Sequence, residues 1–173
     1  LGGLVCSKNV RIAGDKFNTD IVSHIRNEFK MLIGEKSAEE TKIAIASVAP
    51  GVVPLEVLVR GRDLATGLPR EMRITDEDVR NAIGHSMEEL VEAIKGVLET
   101  TQPEIVADIM QRGVYLAGGG ALIRGIADFL SNALGVTVIL TPDPLTAVVR
   151  GTAVVLNDIE RYRDSLLKRD DEL

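Results

Sequence analysis

The segment VYLAGGGALIRGIADFL, from Val114 to Leu130, decides the fold class of this chain. A short apolar run ends at three consecutive glycines, and a helical pattern begins directly after them. Glycine costs backbone entropy, so three in a row where a strand becomes a helix indicate a need for bare backbone. Two explanations are open: close packing of the helix on the strand, or a ligand that lies directly on the main chain.

The segments that follow predict a parallel α/β sheet. A second apolar run, VTVIL at residues 136–140, follows the helical pattern, and a last helix is predicted from Pro144 to Leu167 with Asp143 as its cap. The order strand, helix, strand, helix is typical of parallel strands with crossover connections. Ligands bind such sheets at the carboxyl ends of the strands. A phosphate, or the sugar and base of a nucleotide, would suit the helix N–H groups just beyond the glycines.

A dinucleotide site fits this segment poorly. The G-x-G-x-x-G pattern needs a third glycine three residues after Gly120, and Ile123 occupies that position. The acidic residue that should end the next strand is also misplaced, since Asp143 is better used as a cap before Pro144. The glycines therefore favour a different kind of nucleotide contact.

The first third of the chain predicts two helices. An extended segment and a turn at Gly14-Asp15 lead to a helix capped by Asn18 or Thr19, which Gly34 ends. Ser37 and Glu40 then have the S-x-x-E form of a capping box for the second helix.

The middle of the chain looks like an insertion into the sheet. Alternating patterns over residues 55–61 and 70–75 predict an antiparallel hairpin. Thr75 or Asp76 begins a long helix, and Pro103 begins another that ends at Gly113. The apolar stripe of the long helix is predicted to be core, and it comprises Val79, Ile83, Met87, Leu90, Val91, Ile94 and Leu98.

Composition limits the classes of function. The chain has 173 residues and a net charge of −6, and no basic stripe is dense enough for a nucleic-acid backbone, so no nucleic-acid partner is expected. Its single cysteine, Cys6, excludes an internal disulfide. One cysteine and two histidines give no cluster with metal-ligand spacing. No apolar run reaches the ~20 residues of a membrane span.

Four motifs, VRIAGDKF, GEKSAEETK, VYLAGGGALIRG and DPLTAVVRGTA, occur in this order. Together they resemble the second, C-terminal half of the MreB family of bacterial actins, within the superfamily of actins, sugar kinases and heat-shock-chaperone ATPases. The resemblance covers essentially the whole chain. It implies an α/β fold, the second domain of an actin-like, ribonuclease H-like ATPase. Residues 1–33 and 114–173 would form a IIA-like subdomain with a parallel or mixed sheet. Residues 34–113 would form an inserted, IIB-like subdomain of helices and a β-hairpin.

The same resemblance implies ATP or ADP as the ligand, bound by residues from two segments. The first segment would place glycine backbone under the base and ribose, and its residues are Gly118, Gly119, Gly120, Ala121 and Leu122. The second is an acidic-x-x-Lys step, Glu39 and Lys42, whose members share a helix face. The carboxylate would accept from ribose hydroxyls while the ammonium or its stem lies along adenine. Without a ligand the pair would be a surface ion pair worth less than ~1 kcal/mol. Asp15 would face the nucleotide cleft or serve only in a turn or cap.

For the whole protein the resemblance implies a cytoplasmic, membrane-associated filament that determines rod shape by organising cell-wall synthesis. Expected partners are further copies and membrane-bound cell-shape and wall-synthesis proteins such as RodZ, with membrane contact through the other half. The two hairpins that hold phosphates and Mg²⁺ in this family have no counterpart in the sequence. We therefore expect no catalytic or metal-binding residue here and no ATP hydrolysis by this chain alone, because phosphoryl transfer depends on positioning and the metal. The alternatives are a sugar or acetate kinase, a chaperone nucleotide-binding domain, and a structural module without a ligand.

Overall fold

The computed structural model describes residues 4–49, 51 and 53–163. The helices are α1 (Gly14–Phe29), α2 (Glu35–Ile45), α3 (Asp76–Thr100), α4 (Pro103–Arg112), α5 (Ile126–Leu134), α6 (Ala147–Asn157) and α7 (Ile159–Tyr162). The strands are β1 (Met31–Leu32), β2 (Glu56–Asp63), β3 (Pro69–Thr75), β4 (Val114–Leu116) and β5 (Val138–Leu140).

The predicted hairpin is present as β2 and β3, and β1 pairs with β2 to complete an antiparallel three-stranded sheet. Val59 and Ile74 are buried in the same core as residues of α1 and α3. Gly61 lies where β1 crosses close to β2, and a Cβ atom there would overlap the Leu32 carbonyl oxygen. The first half of the chain thus forms helices packed on one face of a small sheet.

The long helix α3 is the main support of the core, as predicted. The Thr75 hydroxyl accepts from the Asp78 N–H at 3.2 Å, and the Asp78 carboxylate accepts from the Thr75 N–H at 2.8 Å, which is a reciprocal capping box. Four residues of the stripe are buried, namely Val79, Ile83, Met87 and Val91, whereas Leu90, Ile94 and Leu98 are half-buried. Because α3 contacts both α1 and α5, it connects the two sheets.

The second sheet consists of β4 and β5, which pair in parallel, with Val114 opposite Val138. Helix α5 crosses between them and buries Ile126 and Leu130. The predicted strand–helix–strand unit and the α/β class with both parallel and antiparallel pairing are therefore confirmed.

Helix α1 begins earlier than predicted. Its N-cap is Ala13, which makes no side-chain cap, while Asn18 and Thr19 lie inside the helix. The predicted turn at Gly14-Asp15 is helical instead. The reason is burial: Phe17 is 2% exposed and lies one turn before Ile21, so the helix must already have formed at that point.

The N-terminal segment is not a strand. Residues 4–12 carry no regular secondary structure, although their pattern predicted extended backbone. An apolar or alternating pattern becomes a strand only where a partner strand completes its hydrogen bonds. Among the described residues, this segment has no such partner.

The capping box predicted at Ser37 and Glu40 is also wrong. Helix α2 begins at Glu35, and Gly34 is its N-cap rather than the end of α1. Helix α1 ends at Phe29 because Lys30 adopts a left-handed φ of 53°. The buried positions Ala38, Thr41 and Ile45 fix the position of α2 in the core, as they form one face of the helix.

The last predicted helix begins three residues late and is interrupted. Helix α6 begins at Ala147 after Thr146, and Asp143 is a turn residue with φ 49° instead of the cap. Pro144 is buried in this turn. Helix α7 follows at Ile159, and the predicted continuation over residues 164–167 lies outside the described residues.

Candidate nucleotide site

The glycine segment lies at the carboxyl end of β4, where the sequence predicts a ligand. Gly118 has φ 87°, a left-handed value that favours glycine, and its N–H donates to the Pro144 carbonyl at 2.9 Å. The next four residues, Gly119–Leu122, form a 3₁₀ turn. Gly119 and Gly120 are exposed in that turn.

Packing within the chain does not explain Gly119 and Gly120. A Cβ atom on Gly120 would meet no atom within 4 Å, and one on Gly119 would meet only the Leu145 side chain, at 3.6 Å. By contrast, a Cβ atom on Gly113 would lie 2.7 Å from the Thr137 carbonyl oxygen. The close approach of the β5 segment and a positive φ of 79° therefore account for Gly113, whereas the bare backbone of Gly119 and Gly120 faces open space.

Ala121 and Leu122 differ in what they can offer a ligand. The Ala121 methyl is 4% exposed and packs into the protein, so only its backbone could touch a ligand. The Leu122 side chain is 51% exposed and remains available. The segment thus presents mainly backbone and one apolar side chain.

Helix α2 places Glu39 and Lys42 differently. Glu39 is exposed, and Lys42 is half-buried with its Nζ donating to the Gly14 carbonyl at 3.1 Å. Neither residue belongs to the ion pairs found among the described residues, so the surface ion pair is not formed. Lys42 instead joins α2 to the beginning of α1, next to the exposed Asp15.

The end of α2 is joined to the segment that follows the glycines. Ser47 and Arg124 form a parallel bridge, in which the Val48 N–H donates to the Arg124 carbonyl at 3.0 Å. The Arg124 N–H donates to the Ala46 carbonyl at 3.3 Å, and its guanidinium donates to the Ala44 carbonyl at 2.9 Å. The two parts of the predicted site, far apart in sequence, therefore belong to one connected region.

The turn between β5 and α6 contacts the glycine segment. Besides the bond from Gly118 to Pro144, the Arg150 guanidinium donates to the carbonyls of Pro142 and Asp143. The motif DPLTAVVRGTA contains Asp143, Pro144 and Arg150, but these contacts are made to backbone carbonyls, and residue type alone does not reveal such contacts. Arg124 was missed for the same reason.

The described residues contain neither a helix suited to cross a membrane nor a cluster suited to bind a metal ion. None of their helices combines the length and apolar character that crossing a membrane requires. No group of three or more His, Cys, Asp or Glu side chains among them is arranged to hold a metal ion.

The sequence matches one protein family and its curated members. The family model for the MreB/Mbl protein matches residues 1–164. The cell shape-determining protein Mbl of Bacillus cereus (strain ATCC 10987 / NRS 248) is 42% identical over 168 residues, which cover 97% of this chain and 50% of that protein. The cell shape-determining protein MreB of Escherichia coli (strain K12) is 38% identical over 170 residues, covering 98% and 49%. The chain thus spans about half the length of the curated relatives it matches.

Solved structures agree with the sequence match. MreB5 of Spiroplasma citri bound to AMPPNP superposes with a TM-score of 0.89 at 32% identity, over 94% of this chain and 49% of that chain. The MamK double helical filament superposes with a TM-score of 0.72 at 22% identity, over 86% and 46%, which supports the fold alone. The actin-like fold is confirmed, and the match decides against the sugar-kinase and chaperone alternatives. The chain therefore belongs to the MreB/Mbl family.

Proposed function

We propose that this chain carries the adenosine-binding side of an ATP-binding, filament-forming cell-shape protein. The floor of the site would be the backbone of the 3₁₀ turn and the residue before it. The wall would be the exposed face of α2. The proposed contacts are Glu39, Lys42, Gly118, Gly119, Gly120, Ala121 and Leu122.

One observation carries this proposal: the bare backbone of Gly119 and Gly120, with open space where a Cβ atom would stand, follows the carboxyl end of the parallel strand β4. Since neither packing nor a positive φ demands glycine at these positions, the absence of side chains costs entropy without a benefit to the fold. A flat base or ribose resting on the main chain would supply that benefit. The place is the carboxyl end of a parallel strand, which is the usual ligand position in such sheets.

Helix α2 supplies the polar part of the proposed site. The exposed Glu39 carboxylate is free to accept from ribose hydroxyls, and Lys42 lies one turn further along the helix. While its ammonium donates to the Gly14 carbonyl, the Lys42 stem can lie along the adenine plane. The bond to α1 would therefore hold the stem in place.

The nature of the nucleotide is supported by relatives. Solved structures of MreB5 of Spiroplasma citri are bound to AMPPNP and to ADP. ATP and ADP are accordingly the ligands that we propose for this chain. Mg²⁺ and the phosphates would be held by residues outside it, so the proposal assigns no catalysis to this chain alone.

The proposal extends to the organisation of the chain and of the whole protein. We assign residues 1–33 and 114–173 to a IIA-like subdomain and residues 34–113 to a IIB-like one, with α1 and β1 packed across this boundary against α2, α3 and β2. The whole protein would polymerise under the membrane in the cytoplasm, organise cell-wall synthesis, and meet membrane-bound partners such as RodZ. The names of its relatives, cell shape-determining proteins Mbl and MreB, support the role in cell shape.

Calorimetric titration with ATP tests the site. We expect the chain to bind ATP with a Kd of about 1 mM, or −4.1 kcal/mol, because only part of the nucleotide is contacted. Gly119→Val should bind at least about tenfold more weakly, a change of 1.4 kcal/mol. Equal heats for both proteins, or no heat for either, would remove the ligand argument for the glycines.

A matched control separates loss of the site from loss of the fold. Gly84 in α3 has no atom within 4 Å of an added Cβ and lies outside the proposed site. Gly84→Val should therefore bind ATP like the wild type. A similar loss of ATP affinity in this variant would indicate a general effect of valine on folding.

A further inference from the structure

Arg124 makes more contacts between the two parts of the proposed site than any residue predicted from the sequence. Its backbone forms the bridge to Ser47, and its guanidinium reaches the Ala44 carbonyl of α2. All of these contacts cross from the segment after the glycines to the end of the helix that carries Glu39 and Lys42. The residue itself is exposed and does not belong to the proposed ligand contacts.

The chemistry of the side-chain contact is that of a helix C-terminus. Helix α2 ends at Ile45, so the Ala44 carbonyl is one of the last four, which have no partner within the helix. These carbonyls also carry the negative end of the helix dipole, and a cation that donates to them is doubly favourable. The Arg124 guanidinium therefore caps the C-terminus of α2, although Arg124 itself belongs to another segment.

The backbone around Arg124 is fixed by the core. Ile123 and Ile126 are 7% and 5% exposed, and they hold the segment from both sides. The preceding 3₁₀ turn is fixed as well, because its Ala121 is buried. A rigid segment thus binds the end of α2, and the helix is positioned relative to the same backbone that would support the adenosine.

We propose that Arg124 is a positioning residue for nucleotide binding, which holds the Glu39 and Lys42 face of α2 over the glycine floor. This inference rests on the proposed function of the same site. Loss of the guanidinium leaves the fold and the backbone bridge in place but lets the end of α2 move. The consequence is a weaker nucleotide complex with no ligand contact removed.

ATP titrations of the chain and its variants test this role. Arg124→Ala should weaken ATP binding about three- to tenfold, the usual range for one lost hydrogen bond of this kind. Arg124→Lys keeps the positive charge and one donor, so it should recover part of the affinity. Arg73→Ala removes another exposed arginine, which pairs with Glu56 on the hairpin, and should bind ATP like the wild type.

A double-mutant cycle separates positioning from general destabilisation. If Arg124 acts through α2, then Arg124→Ala combined with Lys42→Ala should cost less than the product of the two single losses. Multiplicative losses would show that Arg124 and Lys42 act independently and would overturn the inference. Unchanged ATP affinity in Arg124→Ala would overturn it as well.

Hydrogen exchange without ATP keeps this inference separate from the proposed function. Amides of residues 42–46 should exchange faster in Arg124→Ala than in the wild type, because the end of α2 is released, whereas the Val48 amide, which donates to the backbone bridge, should not. Unchanged exchange would contradict the positioning role whatever the nucleotide result. If the wild-type chain binds no ATP, the proposed function fails and the ligand part of this inference fails with it.

Discussion

A Cβ atom on Gly61 would overlap the Leu32 carbonyl oxygen, whereas one on Gly120 would meet no atom within 4 Å. Gly118 is different again, since its φ of 87° favours glycine whatever the surrounding space. Three glycines thus have three separate explanations: close approach of two strands, backbone conformation, and open space above the main chain. Open space alone does not indicate a ligand, because Gly84 in α3 has it as well; at Gly120 it coincides with the carboxyl end of the parallel strand β4.

Alanine substitutions should separate these explanations. Gly61→Ala should lower the free energy of unfolding by about 1–3 kcal/mol, because β1 would have to move away from β2. Gly120→Ala should change it by less than about 0.5 kcal/mol, as expected for an open surface position. Urea denaturation followed by circular dichroism measures both values. Equal losses in the two variants would contradict our reading of the glycines.

The residues of the candidate site were only partly predictable. The motif around Gly118 and the helix with Glu39 carry a recognisable pattern of residue types. Arg124 and Pro144 do not, because they act through contacts with backbone groups that every residue possesses. Such contacts depend on which segments the fold brings together, and the sequence alone gives no distance between residues 46 and 124.

At the scale of the element, predictions succeeded where periodicity and a local cap agreed. Helix α3 has both the apolar stripe and the capping box at Thr75, and it begins there. The starts of α1, α2 and α6 were predicted from polar residues that turned out not to be caps. In α1 and α2 buried side chains decide where the helix begins, because packing outweighs the preference of a single cap.

The caps give a direct test. Thr75→Ala should destabilise the chain by about 1 kcal/mol, since the hydroxyl that accepts from the Asp78 N–H and donates to the Asp78 carboxylate is lost, while the backbone N–H of residue 75 still donates to that carboxylate. Ser37→Ala, at the cap that the sequence predicted, should have no such cost because Ser37 lies inside α2. Thermal and urea unfolding of the two variants measures the difference. A larger loss for Ser37→Ala would place the start of α2 where the sequence suggested.

The hairpin turn makes stability depend on pH. The N–H groups of Thr66 and Ala65 bond to the Asp63 carboxylate, and together with the Arg70 guanidinium they lower the pKa of Asp63. A lowered pKa in the folded state means that this contribution is present above the unfolded pKa of about 3.9. It is lost as the pH falls through the lower folded value.

Asp63→Asn should therefore differ from the wild type in a pH-dependent way. The asparagine keeps an acceptor oxygen but carries no charge, so the variant should be less stable at pH 6, with the gap closing towards pH 2. Unfolding midpoints measured across this pH range would show the trend. A gap that stays constant with pH would mean that the Asp63 charge does not contribute to the turn.

At the scale of the whole molecule, the two halves of the chain differ in how much of their apolar surface is buried by other elements. The first sheet has helices packed on its buried face, whereas β4 and α6 expose apolar side chains: Tyr115 is 64% exposed and Val148 70%. Helix α6 has no buried residue at all. A surface of this kind on the β4–β5 sheet and α6 is unusual for a soluble monomer.

We expect the chain to associate with itself or to be poorly soluble, through the open edge of the β4–β5 sheet and this apolar surface. Sedimentation velocity should show a mass that rises with concentration. Replacing Val148 and Leu156 by lysine should reduce the association, because both side chains are exposed on α6. A sharp monomer that remains soluble at high concentration would argue against this expectation.

Mapping of ATP binding on the chain by ¹H–¹⁵N NMR tests whether the glycine backbone and α2 form one nucleotide site. We expect ATP to shift the amides of Gly119, Gly120 and Leu122 together with those around Lys42. Gly120→Val should abolish these shifts and leave the rest of the spectrum unchanged. The contrary result would be shifts confined to another surface, such as the groove between α3 and α5 lined by Val91 and Phe129, or shifts that persist in Gly120→Val.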